Sequence, residues 1–267
     1  MAIISGVLAK CPETPQKILA KMLMLSASEL GENSATFELI SSAIRTGTVM
    51  APENTAALQR LGVLAKNDND PKAMLLMAKI LYGQQGNRAA LEWLQKSTRP
   101  PTGSLEWDGA GDALIEEGRI LMDLNDTQGA RQAFEKAALK LDDPAGYFYL
   151  SKMEKPGSSE QEIYLLKASS AGIVEAWHNL GALQLEKSRN NDRKPASMKD
   201  YGMAGEWFQL AAAENFGPSI INLAMMNKAV GKLEEAWKWM AKAEKNEEVK
   251  AAAKDLQSQW TEQNGIP

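Results

Sequence analysis

The chain has 267 residues, of which 44% are hydrophobic, and a formal net charge of −4 at pH 7. This composition is sufficient for a buried core, and the acidic balance gives no general attraction for nucleic-acid phosphates or anionic lipid. Because it has one cysteine, Cys11, and one histidine, His178, the chain cannot form an intramolecular disulfide and has almost no ligand set for a metal. We therefore expect no metal and no cofactor.

The apolar segments are short. Residues 18–25 are interrupted by Lys21 and fall well short of the roughly 20 residues that cross a bilayer, so we expect no membrane span. Residues 1–8 are apolar but lack the basic start of a secretory signal. Together with the single cysteine, this indicates an intracellular protein in a reducing compartment, the cytoplasm or the mitochondrion.

Helix-forming residues dominate the chain while Val, Thr, Tyr and Phe are scarce, which predicts an all-α protein. Pro15, Pro52 and Pro71 stand where first-turn prolines belong, and Ser159 with Glu162 has the spacing of a capping box. In chain order, the apolar periodicity predicts helices over 15–31, 35–46, 53–67, 72–83, 87–98, 112–124, 127–141, 145–154, 160–171, 174–188, 201–214, 218–230, 233–245 and 247–261.

Small residues recur at the start of every second helix and mark an internal repeat. In most cases a bulky residue lies twelve positions upstream of this small residue and is itself followed four positions later by another small one. The unit is a helical hairpin of about 34 residues, with extra length in the loops. A single hairpin cannot bury its own apolar stripe, so we expect the hairpins to stack and share a core. The repeated small residues are Ala35, Ala73, Ala113, Ala145, Ala176 and Ser219, spaced by 38, 40, 32, 31 and 43 residues.

Two segments carry a specific resemblance. The hairpin over 112–144 resembles a tetratricopeptide repeat, although Glu117 places a charge where that family prefers Leu. The segment over 176–219 resembles the related Sel1-like repeat. The loop inside that repeat characteristically varies in length, and residues 187–202 fit this feature. The residues that match the tetratricopeptide pattern are Gly118, Leu121, Ala130, Phe134, Ala137 and Pro144.

This resemblance implies a right-handed superhelical α-solenoid of stacked antiparallel hairpins, forming a single domain over 1–267. The repeats are weaker over 14–98 and clear over 112–244, and a capping helix is expected at 247–261. Proteins of these families generally hold a partner segment in a concave groove lined by the first helix of each hairpin. The resemblance therefore implies a non-enzymatic protein–protein interaction scaffold or adaptor, as a subunit or assembly factor of a larger complex.

The same resemblance assigns candidate contacts on the first helices. For each of them, the ordinary alternative is a solvated or core-edge side chain. His178 has no serine, cysteine or carboxylate in a recognisable catalytic relation to it, so we predict no catalytic residue. The groove candidates for a protein or peptide partner are Arg119, Met122, Tyr147, Ser151, His178, Leu185, Ile221, Met225 and Lys228.

Tryptophans and inserts supply the remaining candidates. Trp93, Trp207 and Trp239 fall at packing positions of the repeat, whereas Trp107 lies in the insert at 99–111 and is a candidate exposed anchor. Trp260 has no packing assignment. The second insert, at 187–202, is locally basic and leaves an alternative open: an RNA-associated helical-repeat protein, with a solubilising loop as the plainer interpretation. Its cations are Lys187, Arg189, Arg193, Lys194 and Lys199.

Overall fold

The computed structural model describes residue 7, residues 13–189 and residues 195–264. The chain divides into two compact units, Met1–Leu141 and Asp142–Pro267. The single domain predicted from the sequence stays a prediction. Cys11 lies outside the described residues, and so do residues 190–194 of the basic insert.

In the first unit, each helix packs against the next one in sequence. A single turn of 3₁₀ helix, Pro52–Asn54, precedes the third helix. The helices of this unit are α1 (Thr14–Glu29), α2 (Asn33–Thr46), α3 (Thr55–Lys66), α4 (Pro71–Gly83), α5 (Asn87–Thr98), α6 (Ala110–Asp123) and α7 (Thr127–Leu141).

The second unit continues the same pattern of consecutive packed helices. A 3₁₀ turn at Met198–Tyr201 ends the basic insert. The helices of this unit are α8 (Pro144–Met153), α9 (Ser159–Ser170), α10 (Val174–Arg189), α11 (Ala204–Ala213), α12 (Gly217–Ala229), α13 (Leu233–Ala243) and α14 (Lys250–Asn264). The all-α architecture of helical hairpins is therefore confirmed, with each helix end within three residues of its predicted position.

Local chemistry explains where the helices begin. Asp70 caps α4 by accepting a hydrogen bond from the Ala73 amide at 2.9 Å, and Pro71 fills the first helical position. The predicted capping box at Ser159 is wrong by one residue. Ser158 caps α9 and accepts from the Gln161 amide at 3.2 Å, because it is the last residue with extended backbone before the helix.

The second helices α5, α7, α11 and α13 carry a repeated buried pattern of a small residue, a large residue four positions later and a small residue after three more. In α7 the pattern is Ala130, Phe134 and Ala137, and in α11 it is Ala204, Phe208 and Ala211, all within 1% of complete burial. Small residues let neighbouring helices approach, and the large residue fills the space between them.

Trp93, Trp207 and Trp239, which were predicted at packing positions of the repeat, lie one residue before this large-residue position. The fully buried side chains are Leu94, Phe208 and Met240, each directly after a tryptophan. The tryptophans at 93, 207 and 239 are only partly buried, and Trp93 and Trp239 pack at the edges of the core clusters. Successive helical residues differ by about 100° in direction, which turns the indole away from the centre of the interface.

Candidate functional site

In the first unit, the exposed side of α6 presents Arg119 and Met122, which are three residues apart and so share a face. The Met122 side chain is 43% exposed. The Arg119 guanidinium lies 6.0 Å from the ring centroid of Tyr82 on α4, and its Nη1 atom lies 3.1 Å from a Glu116 carboxylate oxygen. The guanidinium is therefore held over an aromatic ring beside an adaptable apolar side chain.

Further contacts between α4 and α6 hold this surface in place. The Tyr82 hydroxyl donates to an Asp123 carboxylate oxygen, and this hydrogen bond raises the pKa of Tyr82 above its ordinary value. The Lys79 ammonium lies 3.7 Å from Glu116. Because Glu116 also pairs with Arg119, the two helices are linked by a polar network on the helix that carries the exposed Met122.

In the second unit, α12 presents Ile221, Met225 and Lys228 at positions four and three residues apart, along one helix face. The Met225 side chain is 42% exposed, and Ile221 is partly buried against the core. The Lys228 ammonium lies 4.4 Å from the ring centroid of Trp260 on α14. An exposed methionine again lies three residues from a cation that is seated on an aromatic ring.

Three other groove candidates are buried. Tyr147 is 4% exposed, Ser151 is fully buried and Leu185 is 8% exposed. The Tyr147 hydroxyl donates to an Asp142 carboxylate oxygen at 2.8 Å and accepts from the Lys167 ammonium at 2.8 Å. These side chains form the interior of the second unit, so a partner contact through them stays a prediction that their burial does not favour.

His178 is partly buried and pairs with the buried Ser219. Its Nδ1 atom is 2.8 Å from the Ser219 hydroxyl oxygen, and the rings of Phe208 and Phe216 lie 5.4 and 5.1 Å from its own. Burial lowers the pKa of His178 below its ordinary value, against an opposing effect of Glu248. The hydrogen bond joins an imidazole, which can act as a base, to a hydroxyl, which can act as a nucleophile. Ser219 is fully buried, however, and a substrate cannot reach it.

The first insert is an ordered part of its unit. The Trp107 indole nitrogen donates to the Ser104 carbonyl at 3.2 Å, and the ring is partly buried against a core cluster that contains Leu94. Arg99 pairs with the carboxylate of Glu117, which is 1% exposed. Trp107 is thus a partly buried packing residue, and its use as an anchor for a partner stays a prediction.

The second insert is partly described. The Lys187 ammonium pairs with Glu162 at 2.7 Å, which ties one cation of the basic insert to α9. Asp200 accepts hydrogen bonds from the amides of Ala196 and Ser197, both at 2.8 Å. Arg193 and Lys194 lie outside the described residues.

The sequence did not identify Tyr82 and Trp260 as the aromatic rings that contact the Arg119 and Lys228 cations. Tyr82 stands in an ordinary helical position, and Trp260 is close to Lys228 only through the packing of α14 near α12. Their signal is a contact between distant positions, which periodicity does not encode.

Within residues 7, 13–189 and 195–264, no group of three or more His, Cys, Asp or Glu side chains is arranged to hold a metal. No described helix combines the length and apolar character required to cross a membrane.

Comparisons with known proteins establish the fold. No family model and no curated protein matches the chain. Among solved structures, the chain is similar to the crystal structure of c5321, a protective antigen present in uropathogenic Escherichia coli strains, which displays an SLR (Sel1-like repeat) fold. The match has a TM-score of 0.60 and 21% identity, and it covers 85% of this chain and 48% of the antigen, so this chain spans about half of that structure. The Sel1-like repeat fold expected from the sequence is confirmed.

Proposed function

We propose that the protein is a non-enzymatic scaffold or adaptor that binds a segment of a partner protein on the exposed faces of its first helices, within a larger complex. Helical-repeat folds of this kind typically serve protein interaction. The observation that carries the proposal is the pair of similar surfaces, Arg119 with Met122 in one unit and Met225 with Lys228 in the other.

These surfaces suit a partner segment that combines apolar and acidic side chains. The methionine thioether adapts to irregular apolar contacts. The Arg119 guanidinium is paired with Glu116 through one nitrogen and has further N–H donors, and the Lys228 ammonium is positioned on the Trp260 ring. An incoming carboxylate would therefore meet side chains that have little rotamer freedom left to lose. The proposed mechanism is binding by pre-positioned groups, with no chemical step.

A charge introduced at the two methionines tests the proposal. Met122→Glu combined with Met225→Glu places a carboxylate at the centre of each surface, where it would repel an acidic partner and remove the apolar contact. We expect recovery of specific partners in quantitative affinity purification to fall at least about tenfold, since 1.4 kcal/mol is a factor of ten in affinity.

Leu139→Glu combined with Leu210→Glu is the matched control, because both leucines are exposed on second helices, at 60% and 44%. This variant should recover the same partners as the wild type. Equal recovery by the methionine and leucine variants would place the binding surface elsewhere. A loss in the leucine variant alone would move it to the second helices.

A further inference from the structure

The first unit contains a pocket of about 430 Å³ between α1, α2 and the turn that leads to α3. Its floor is apolar and is built by Ala20 and Met24 from α1 and by Leu39 and Ala43 from α2. All four are buried, at 9% exposure or less. The volume lies within the range of about 300–1,000 Å³ that small-molecule sites in proteins occupy.

Several polar groups at the rim are already paired. The Lys21 ammonium lies 3.2 Å from a Glu53 carboxylate oxygen, and the pKa of Glu53 is lowered by a backbone hydrogen bond and by this lysine. Glu38 lies 3.5 Å from Arg45 on its own helix. These carboxylates are therefore compensated within the protein and leave little net negative charge at the rim.

Three other rim groups have no partner among the described residues. They are the Lys17 ammonium, the Ser42 hydroxyl and the side-chain oxygen of Asn54. Asn54 is 5% exposed, and its amide nitrogen donates to the Thr48 carbonyl at 2.8 Å, which orients the side chain and leaves its oxygen without a donor. Because this oxygen is accessible to water, it needs no ligand, and the unpaired hydrogen-bond donors of the rim are the Lys17 ammonium and the Ser42 hydroxyl.

We infer that this pocket binds a small organic acid with an apolar aromatic or aliphatic body. The body would cover the four floor side chains, and the carboxylate would take a charge-assisted hydrogen bond from Lys17 and a second hydrogen bond from Ser42. The uncompensated charge at the rim is a cation, which selects an acid over its neutral amide. This site is independent of the first-helix surfaces proposed for partner binding.

The probe is 3-phenylpropionate, titrated into the full ¹⁵N-labelled chain and followed by NMR, with 3-phenylpropionamide as its neutral counterpart. We expect saturable one-to-one binding of the acid, with shift changes confined to α1, α2 and the 47–54 turn. The amide should bind about fivefold more weakly, the size expected for one partly exposed ion pair. No saturation at millimolar acid, or shift changes outside this pocket, would overturn the inference.

Two variants connect the binding to the pocket. Lys17→Gln should weaken binding of the acid about fivefold and leave binding of the amide unchanged, because only the acid uses the charge. Lys66→Gln is the matched control, since Lys66 is an exposed lysine on α3 outside the pocket, and it should bind the acid as the wild type does. Equal affinity of the two variants for the acid would contradict the inference.

Ala43→Phe fills the floor and should abolish binding of both compounds. Because a larger side chain at this buried position also strains α2, its helicity and unfolding temperature are compared with those of the wild type. If the variant is unfolded, the Lys17→Gln result decides, since an exposed lysine side chain is not required for folding. A folded Ala43→Phe variant that still binds the acid would place the site elsewhere.

Discussion

One hairpin from each unit contains the same close contact between a glycine and a phenylalanine ring, and the two hairpins differ in the residue before the glycine. In α6 and α7, Gly118 faces the ring of Phe134, and in α10 and α11, Gly181 faces the ring of Phe208. A β-carbon at Gly181 would lie 2.7 Å from the Phe208 ring, and one at Gly118 would meet the Phe134 ring more closely still. Both hairpins depend on the absence of a side chain at one position.

The residue before the glycine separates the two hairpins. Leu180 in the second unit and Glu117 in the first are both 1% exposed. The leucine needs no partner, whereas the glutamate is paired with Arg99 of the first insert. Burial raises the pKa of the Glu117 carboxyl, against opposing effects of Arg99 and Lys136. The comparison shows that an insert between hairpins can supply the charge that a buried carboxylate needs.

The largest expected effect comes from removing the feature that the two hairpins share. Gly118→Ala should destabilise the first unit by about 3 kcal/mol and Gly181→Ala the second unit by about 2 kcal/mol, because each new methyl group overlaps a buried ring. Urea unfolding of the full chain, followed by circular dichroism, measures both. The difference between the two variants tests whether the first hairpin is the more tightly packed.

Gly62→Ala provides the control. Gly62 lies inside α3, and a β-carbon there meets no atom within 4 Å. This substitution should stabilise the chain by about 0.5–1 kcal/mol, since alanine is the better helix former. If all three variants shift stability in the same direction, the glycine–phenylalanine contacts are not what places Gly118 and Gly181.

Breaking the Arg99–Glu117 pair removes the feature that distinguishes the first hairpin. Arg99→Ala leaves a buried carboxylate without its main partner and should cost about 2 kcal/mol, less than for a fully buried pair because the arginine side chain is 43% exposed. Glu117→Leu copies Leu180 and should be neutral or stabilising. In the Glu117→Leu background, Arg99→Ala should cost less than about 0.5 kcal/mol.

Arg88→Ala is the matched control for this double-mutant cycle, because Arg88 is exposed on α5 and should change stability by less than about 0.5 kcal/mol. Equal costs for Arg99→Ala in the wild-type and Glu117→Leu backgrounds would contradict the assigned role of the insert. The free energies come from the same urea titrations.

The sequence predicted some of these features and not others, for physical reasons. Helices and the position of Gly118 follow from local periodicity and from the spacing of Ala130, Phe134 and Ala137, which a chain carries along its length. The Arg99–Glu117 pair, the Lys228–Trp260 contact and the pocket beside Lys17 join residues from different helices. Their positions depend on loop length and helix packing, which one sequence does not specify.

The smallest expected effect sharpens the comparison of the units through pH, because the pKa values of Glu117 in the first unit and His178 in the second are shifted in opposite directions. The pKa of Glu117 is raised in the folded chain. Its contribution to the free energy of unfolding therefore falls as pH rises from the ordinary pKa of 4.5 towards the raised pKa of the folded state. The folded pKa of His178 is lowered, so the unfolded chain binds more protons below its ordinary value of 6.5, and stability is lost as pH falls through that value. Urea unfolding at pH 5.5 and 7.5 should show that His178→Gln abolishes the gain that the wild type makes at the higher pH. Since His178 is the one histidine of the chain, parallel behaviour of the variant and the wild type would show that this imidazole is not held neutral by its contacts with Ser219, Phe208 and Phe216.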